Sequence, residues 1–333
     1  MPRKNLSLKW LEVFQLVAQS GSVQAVAKDI GLSVSTVSHH LRSLEDCLGV
    51  SLLDHSQRPM VMTPAGTVFL RYIEEALRLI RRAENELVSG SFVEARDLRL
   101  GIVEDFEGEI APEMAQILAK IMPKCTFKHY TRLSHEILEL LRNHELDIGI
   151  ATRPMQDTPG LVEYPLLRDP FVLAVPAKSD IPPEDFLNGK SKLPFMRYAR
   201  NQIIGGLIAS QLSRLRISLP NRFELESNQS ILGMVAEGSG WAITTPVSLV
   251  RAKRYQGQIT LHRFPGKEFS RTLSLFTTDV YAQPVVNMVL KTMRRLLQQR
   301  VVEPVLSEQS WLKDSFYLLP EQEISTGAPG PGD

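Results

Sequence analysis

Residues 21–45 read GSVQAVAKDIGLSVSTVSHHLRSLE. Four apolar residues of the first half share one helical face, namely Val23, Val26, Ala27 and Ile30. Gly31 interrupts that pattern, and Ser22 and Ser33 stand where a side-chain oxygen can cap the start of each half. The stretch therefore predicts two short helices that are joined by a tight turn.

The second predicted helix has two different faces. Its apolar face consists of Val37, Leu41, Leu44 and Leu48. Its other face is small, polar and partly basic, and consists of Val34, Ser35, Ser38, His39 and Arg42. Two helices with a glycine turn and a small-residue second face fit a helix-turn-helix, whose second helix enters the major groove of DNA. An ordinary amphipathic helix pair is the alternative on these residues alone.

The residues that follow favour DNA binding. They read LRSLEDCLGVSLL over 41–53, then Arg58-Pro59, then MTPAG over 62–66. This run closely resembles the N-terminal signature of LysR-type transcriptional regulators, without a gap from about Leu8 to Gly66. The resemblance implies a winged helix-turn-helix domain over residues 1–66, with Arg58 on the wing reaching the minor groove or its phosphates.

Some positions depart from the family pattern. The family often has Gln-Pro after the capping serine, where this chain has Val34 and Ser35, and His39 stands in place of the usual Arg. We therefore expect the scaffold of the family with an individual base-reading surface. The residues predicted to contact bases or phosphates are Ser33, Val34, Ser35, Ser38, His39, Arg42, Arg58 and Thr63.

After Gly66 the chain predicts one long helix, with residues 67–90 as a linker. Its apolar residues recur at heptad spacing, at Phe69, Ile73, Ala76, Ile80, Ala83 and Leu87. The family resemblance implies that this helix dimerises antiparallel to its twin. We predict a dimer seam through Phe69, Ile73, Ile80 and Leu87. A helix that packs within its own monomer is the alternative.

Beyond residue 97 the pattern changes to strands that alternate with helices, which favours an α/β fold with a parallel sheet. The layout resembles the two-lobe, periplasmic-binding-protein-like effector domain of LysR-type regulators. We predict this domain over residues 97–303. Its first lobe spans about 97–168 and 270–303, and its second about 169–269. Residues 304–333 form a predicted C-terminal extension, whose apolar residues pack back on the body and whose Gly/Pro-rich end is disordered.

In such a domain, ligands bind in the crevice beyond the carboxyl ends of the strands. The predicted effector-binding residues are Glu104, Asp105, Phe106, Arg132, Ser134, Thr152, Arg197, Asn228 and Thr245. Glu104 and Asp105 would attract an amine, while Arg132 or Arg197, with a helix capped by Ser134, would hold an acid group. This favours an amino-acid-like or other nitrogen-containing effector. The alternative is that the acidic residues stay solvated and only complement a helix N-terminus.

Composition sets further limits. The 333 residues are enough for two domains. The net charge is +1, so the chain has no general basic field that would by itself indicate binding of nucleic acid. Near-neutral charge keeps open a small-molecule binding protein with a minor or lost DNA role. Only Cys47 and Cys125 are present, which excludes a disulfide framework. A thiol-based redox-sensing regulator is a further alternative, although both thiols are expected to be packing residues.

The sequence offers little for catalysis. Gly238-Ser239-Gly240 is too short for a dinucleotide fingerprint, and His129, His135 and His144 do not stand at metal-ligand spacing. We predict no enzymatic activity, no catalytic residues, no metal and no cofactor. The absence of a signal peptide and of a long apolar run predicts a cytoplasmic protein without membrane partners.

The predicted function is a DNA-binding transcription regulator controlled by a small-molecule effector. Its expected partners are double-stranded promoter DNA, the effector and further copies of the chain in a homodimer or homotetramer. RNA polymerase is a further candidate partner.

Overall fold

The computed structural model describes residues 5–57, 59–88, 97–255, 257–278 and 281–321. The chain divides into two compact units, one before and one after residue 90. Each unit has its own hydrophobic core.

The N-terminal unit combines helices with a small hairpin. Its elements are α1 (Leu8–Ser20), α2 (Val23–Asp29), α3 (Val34–Leu48), β1 (Leu53–Asp54), β2 (Val61–Met62) and α4 (Pro64–Val88). The two predicted caps are confirmed, because Ser22 Oγ accepts from the N–H of Ala25 at 3.2 Å and Ser33 Oγ from that of Thr36 at 3.1 Å. β1 and β2 pair as the predicted wing hairpin. This is a winged helix-turn-helix.

The start of α4 lies against the wing. A Cβ on Gly66 would approach the carbonyl oxygen of Leu52 to 2.0 Å, so only glycine allows this close contact. The first turns of α4 then pack on α1, where the rings of Phe14 and Phe69 lie 5.7 Å apart. Ile73 and Leu77 are buried in the same core. Half of the predicted dimer seam, Phe69 and Ile73, is therefore used inside the monomer, because it covers the apolar face of α1.

The C-terminal unit is a two-lobe α/β domain. Within the described ranges its strands are β3 (Asp97–Ile102), β4 (Thr126–Thr131), β5 (Ile148–Thr152), β6 (Leu161–Pro170), β7 (Val172–Pro176), β8 (Met196–Tyr198), β9 (Phe223–Leu225), β10 (Ala242–Thr244), β11 (Ile259–Arg263), β12 (Ser270–Thr278) and β13 (Tyr317–Leu318). Its helices are α5 (Ile110–Ile121), α6 (Ser134–Arg142), α7 (Pro183–Leu187), α8 (Ile203–Arg214), α9 (Asn228–Ala236), α10 (Pro246–Val250), α11 (Gln283–Leu297) and α12 (Glu303–Glu308).

The sheet of the first lobe has six strands in the order β13-β6-β12-β5-β3-β4. The prediction of a parallel sheet was wrong for two of the six strands, β12 and β13. β3 runs parallel to β4 and β5, but β12 is antiparallel to β5 and β6, and β13 is antiparallel to β6. The chain leaves this lobe along β6, which runs in the same direction as β3, β4 and β5, and it returns along β12 in the opposite direction, which β13 shares.

The second lobe has a three-stranded sheet in the order β10-β7-β11 and a parallel pair, β8-β9. Two chain crossings join the lobes, between β6 and β7 and between β11 and β12. The crossings touch, because the rings of Phe171 and Phe269 stack at 4.3 Å and the N–H of Phe171 donates to the carbonyl of Phe269 at 2.9 Å. The two crossings therefore lie side by side, and we call them the hinge region.

The C-terminal extension packs back on the first lobe. Leu312 and Phe316 are fully buried, and β13 adds a strand to the edge of β6, where Tyr317 lies opposite Arg168. Arg263 of β11 also donates to the carbonyl of Trp311 at 3.0 Å. The extension therefore completes the domain. Its predicted disordered end, residues 325–333, lies outside the described residues.

Candidate DNA-binding surface and effector cleft

The face of α3 that was predicted to read DNA is exposed. Ser33, Val34, Ser35, His39 and Arg42 are open to solvent and Ser38 is half-buried, while the opposite face is buried in the core of the N-terminal unit. Val34 is a large apolar side chain that keeps 47% of its surface in water. An exposed valine beside serines and a histidine offers an apolar contact and hydrogen-bonding groups to a base edge.

The wing is held by the end of α3. The carboxylate of Glu45 accepts from the backbone N–H of Leu52 at 2.8 Å and of Leu53 at 3.1 Å, and it lies 2.9 Å from Nε2 of His55. These contacts link α3 directly to the first strand of the hairpin. Arg58 lies outside the described residues.

Thr63 has an internal role that the sequence analysis did not assign. Its hydroxyl donates to the carbonyl of Ser51 at 2.8 Å and accepts from the N–H of Gly66 at 3.0 Å, which caps α4. Its hydroxyl proton is therefore engaged within the protein, which weakens its candidacy as a phosphate contact.

The outer face of α4 carries an exposed apolar surface. Tyr72 is 59% exposed, and Val68, Leu79 and Ile80 are also largely open to solvent. Of the predicted seam residues, Ile80 lies on this surface, Phe69 and Ile73 lie against α1, and the side chain of Leu87 lies outside the described part of the chain.

A cleft opens between the two lobes of the C-terminal unit, at the carboxyl ends of β3, β4 and β5. It has a cavity volume of about 40 Å³ and is lined by Val103, Glu104, Asp105, Arg132, Leu133, Ser134, Thr152, Gln202, Ile203, Ile204, Glu226, Asn228 and Arg271. Both lobes contribute side chains. This is the arrangement expected for a ligand site at the strand ends of an open sheet.

The structure brings six of the nine predicted effector residues together in this cleft, namely Glu104, Asp105, Arg132, Ser134, Thr152 and Asn228. Phe106 is buried in the core instead. Arg197 is also buried, where it donates to the carbonyl of Leu219 and lies over the ring of Phe195. Thr245 is fully buried behind the cleft.

Ser134 was predicted to cap α6, and this was wrong in detail. α6 begins at Ser134, and the N–H of Leu133 donates to the carboxylate of Glu136 at 3.1 Å. The hydroxyl of Ser134 accepts instead from the N–H of Thr152 at 3.0 Å. Ser134 therefore joins the ends of two structural elements on the cleft wall.

The floor of the cleft is an ion-pair network that the sequence analysis missed. Arg271 donates from Nη2 to Asp105 at 3.0 Å and to Thr245 at 2.9 Å, and from Nε to Asp169 at 2.8 Å. Asn228 adds a hydrogen bond to Asp105 at 2.7 Å. Arg271 lies opposite Asp169 in the β12–β6 ladder, a pairing between residues 102 positions apart that single-sequence patterns do not reveal.

This network contains two carboxylates and one guanidinium, all almost completely buried. Burial raises the pKa of Asp169 to about 6, although Arg271 acts in the opposite direction. Burial alone would lower the pKa of Arg271, but the charges of Asp105 and Asp169 raise it above its usual value. The network ties both crossing strands to the second lobe.

Glu104 and Asp105 are not free to bind an amine, contrary to the prediction. Asp105 is paired with Arg271, and Glu104 forms an ion pair of 2.9 Å with Arg251 and accepts from Ser227 at 3.1 Å. Burial raises the pKa of Glu104, while Arg251 and Ser227 lower it. The solvated alternative was also wrong for Asp105, which is 7% exposed.

Two other charged residues of the cleft remain exposed. Arg132 of the first lobe donates to the carbonyl of Thr131, and Glu226 of the second lobe accepts from Gln202 only through its backbone carbonyl. Among the described residues, neither side chain forms an ion pair. The cleft therefore presents one cation and one anion, one from each lobe.

Three other features bear on function. Burial raises the pKa of the Cys125 thiol to about 11, so this thiol is protonated near neutral pH. In the described part of the chain, no group of three or more His, Cys, Asp or Glu residues is placed to hold a metal ion. No helix in that part is both long and apolar enough to cross a membrane.

Two family models match the chain. Residues 8–67 match the "bacterial regulatory helix-turn-helix protein, lysR family" model, and residues 93–298 match the "LysR substrate binding domain" model. Together they cover the N-terminal unit and the two-lobe domain up to the end of α11.

Curated proteins with similar sequences include transcriptional regulators. The HTH-type transcriptional regulator BbuR of Bordetella bronchiseptica is 27% identical over 271 residues, which cover 80% of this chain and 82% of BbuR. A probable hydrogen peroxide-inducible genes activator of Mycobacterium xenopi is 29% identical, over 56% of this chain and 96% of that protein.

Solved structures share the fold. An OxyR variant of Corynebacterium glutamicum superposes with a TM-score of 0.66 at 17% identity, covering 97% of this chain and 99% of that one. Full-length CbnR in complex with its target DNA superposes with a TM-score of 0.54 at 18% identity, over 87% of this chain and 99% of that one.

Proposed function

The chain belongs to the LysR family of bacterial transcriptional regulators, and we propose that it reads its promoter through α3 and the wing as a homodimer or homotetramer. We further propose that an amino-acid-like effector between the two lobes controls it. The observation that carries the DNA-binding part is the exposed face of α3, with Val34, Ser35 and His39 beside the capped helix start at Ser33. The N-terminal residues of a recognition helix are those that meet base edges.

Charge decides how this surface would hold DNA. The chain has a net charge of only +1, so phosphate contacts must come from individual groups rather than from a general basic field. Arg42 on α3 is exposed and can contact a phosphate group. The N–H groups at the starts of α2 and α3 add neutral phosphate donors. Arg58 of the wing stays in the proposal on the family motif alone.

A gel-shift titration against its own upstream DNA at several salt concentrations tests this proposal. Specific binding should tighten as salt falls, with a slope that Arg42→Ala makes shallower by about one phosphate contact. Lys120→Ala is a matched control, because Lys120 is an exposed cation in the other unit. Absence of specific binding at any salt concentration would favour the alternative, a small-molecule binding protein whose DNA role is minor or lost.

Assembly is proposed to use the outer face of α4. Two half-sites on DNA have to be held together, and a helix with an exposed apolar stripe suits pairing with its twin. Tyr72, Leu79 and Ile80 supply that stripe. RNA polymerase is a further proposed partner. Because the protein works on DNA, we propose the cytoplasm as its compartment.

The effector is proposed to be amino-acid-like because of Arg132 and Glu226. A carboxylate pairs well with a guanidinium and an ammonium with a carboxylate, so a zwitterion satisfies both lobes at once. This keeps the effector class that the sequence suggested but moves the ammonium partner from Glu104 and Asp105 to Glu226. Ser134 and Thr152 add hydrogen-bonding groups on the first lobe.

A thermal-shift screen of zwitterions, amines, dicarboxylates and aromatic acids tests the effector class. A zwitterion should raise the melting temperature, and both Arg132→Gln and Glu226→Gln should reduce that rise. A dicarboxylate that binds the Glu226→Gln variant as tightly as the wild type would reject the proposal. Glu237→Gln is a suitable control, since Glu237 is exposed and does not line the cleft.

A redox-sensing regulator is the second candidate, because one similar protein is named as a probable hydrogen peroxide-inducible genes activator. A reactive thiol needs a lowered pKa, and the pKa of Cys125 is raised. Cys47 and Cys125 also belong to different units. We therefore rank this candidate below the effector, and we propose that the protein performs no turnover. A Cys47→Ser/Cys125→Ser variant that lost a peroxide response would reverse the ranking.

A further inference from the structure

Contacts between the two lobes converge on one short segment of the first lobe, Glu104–Glu107. Arg251 follows α10 in the second lobe, and its guanidinium binds this segment three times. It lies 2.9 Å from the carboxylate of Glu104 and 2.7 Å from that of Glu107, and it donates to the carbonyl of Glu104 at 3.0 Å. Arg251 therefore forms a clamp across the lobes.

Other side chains of the second lobe reach the same segment. Ser227 donates to Glu104 at 3.1 Å, and Asn228 and Ser248 donate to Asp105 at 2.7 and 3.0 Å. Glu104, Asp105 and Asn228 line the cleft, whereas Arg251 and Glu107 do not. The two residues of the clamp that lie outside the cleft can thus be changed without altering its lining.

The cleft between these contacts is small. Its volume of about 40 Å³ would hold roughly three water molecules, since one needs about 10–15 Å³ by this measure. Even the smallest amino acid is larger than that. An effector of this class is therefore enclosed more fully by the cleft when the lobes separate.

We propose that the Arg251 clamp on Glu104 and Glu107 holds the two lobes together beside the cleft, so that opening of this clamp widens the cleft for an amino-acid-sized effector. The inference rests on the proposed function only for the identity of the cleft as the effector site. It assigns Arg251 and Glu107, which do not touch the effector, a role in setting how easily the site opens.

Charge and burial explain why Arg251 suits this role. Its side chain is 21% exposed and its partners are 26% and 45% exposed, so the ion pairs are partly screened by water. Each of these ion pairs contributes little free energy, so they can stabilise the contact between the lobes and still break reversibly. The Arg271 network on the floor of the cleft is almost fully buried, and through the bond from Asn228 to Asp105 it also joins the two lobes, so the lobes move about this network as a pivot.

Hydrogen exchange on the full-length protein tests the clamp without any ligand. Glu107→Ala should speed amide exchange about five-fold, the change expected from losing one partly exposed ion pair, and Arg251→Ala should speed it at least as much, because it loses the pairs with both Glu104 and Glu107. The decisive amides are those of the cleft wall, such as Thr152, whose N–H is held by Ser134 and which does not touch Arg251. Arg254→Ala is the matched control, because Arg254 is a nearby exposed arginine that lies over the ring of Tyr255.

The outcomes separate the clamp from its alternatives. Faster exchange at Thr152 in both clamp variants, but not in Arg254→Ala, supports the proposal. Exchange at Thr152 equal to that of the wild type in both variants overturns it, even when residues 104–107 themselves become looser. If Arg251→Ala fails to fold, Glu107→Ala decides, since Glu107 is almost half exposed.

Gel shifts with the same proteins keep the two proposals apart. The clamp fails alone if all variants and the wild type bind promoter DNA but the exchange at Thr152 does not change. The proposed function fails alone if exchange changes as expected but no protein binds DNA specifically. These two readouts are independent because DNA is absent from the exchange experiment.

Discussion

At the scale of one residue, Asp169 is a buried carboxylate in the hinge region between the lobes. It is fully buried beside Arg271, which it shares with Asp105, so two carboxylates face one guanidinium. Burial raises the pKa of Asp169 from its usual 3.8 to about 6. The folded protein therefore holds this proton more tightly than the unfolded chain does.

Protonation of Asp169 makes the stability of the protein depend on pH. The contribution of Asp169 to the free energy of unfolding grows as the pH falls from about 6 towards the unfolded value, and is lost as the pH rises through that window. Asp169→Asn removes this titration. When the pH is lowered from neutral to mildly acid, we expect the free energy of unfolding of the wild type to rise by on the order of 2 kcal/mol relative to that of Asp169→Asn. Urea unfolding at several pH values measures it, and parallel stability curves for the two proteins would contradict it.

His39 stands where the family usually has Arg, so we expect its base contact to differ from those of relatives. Its imidazole is exposed on α3 next to Val34 and Ser35. We expect His39→Ala to change sequence preference by about 1–3 kcal/mol at each affected base pair. Binding to a panel of single-base variants of the operator measures this. An equal loss on every duplex would mean that His39 touches only the phosphate backbone.

Residues differ in how far the sequence predicts them. Ser22 and Ser33 cap helices as their local spacing indicates, because a cap depends on neighbours three residues away. Arg271 was missed because its partners, Asp105 and Asp169, are distant in the chain. Glu104 was placed in the cleft correctly but given the wrong partner, since Arg251 is also remote in sequence.

At the scale of an element, α4 has two apolar faces with different uses. Ile73 is 7% exposed and packs on the core of its own unit, whereas Ile80 is 38% exposed on the outer face. Heptad spacing alone does not separate these faces, because a helix that packs first on α1 and later on a twin keeps the same repeat. This is why Phe69 and Ile73 were assigned to the dimer seam.

Lysine substitutions separate the two faces of α4. Ile80→Lys should dissociate the proposed dimer without lowering the melting temperature of the N-terminal unit. Ile73→Lys should destabilise that unit by several kcal/mol, because it buries an unpaired charge. Light scattering and thermal unfolding measure the two effects. Dissociation by Ile73→Lys alone, with unchanged stability, would restore the seam predicted from sequence.

β13 is the element whose contribution the sequence predicted least. Apolar residues near it indicated that the extension packs back, but not that it adds a strand to β6. Strand addition depends on which edge of the sheet is free, and that depends on the whole topology. The mixed sheet was missed for the same reason.

The C-terminal extension should contribute a large share of the free energy of unfolding of the C-terminal unit. Phe316→Ala removes a fully buried ring and should cost about 3–5 kcal/mol of unfolding free energy. Tyr317→Ala, at an exposed neighbour, should cost less than about 1 kcal/mol. Urea unfolding compares them, and equal losses would show that the extension is not held by its core residues.

At the scale of the whole molecule, control of DNA binding by an effector is a coupling between two units. If the effector changes the affinity for promoter DNA by about tenfold, the same DNA must change the affinity for the effector by the same factor. Fluorescence anisotropy of labelled DNA and calorimetry of the effector, each with and without the other ligand, measure both factors. A factor of one in both titrations would show that the two binding events are not coupled.

The strand order of the first lobe has a consequence for biosynthesis. The N-terminal unit uses contiguous sequence and can fold soon after it leaves the ribosome. The sheet β13-β6-β12-β5-β3-β4 instead needs a strand from residues 317–318, so it is completed only after those residues have been synthesised. Pairing strands so far apart in the chain also slows folding. During each round of synthesis, the part that binds the promoter is therefore ready before the part that regulates it.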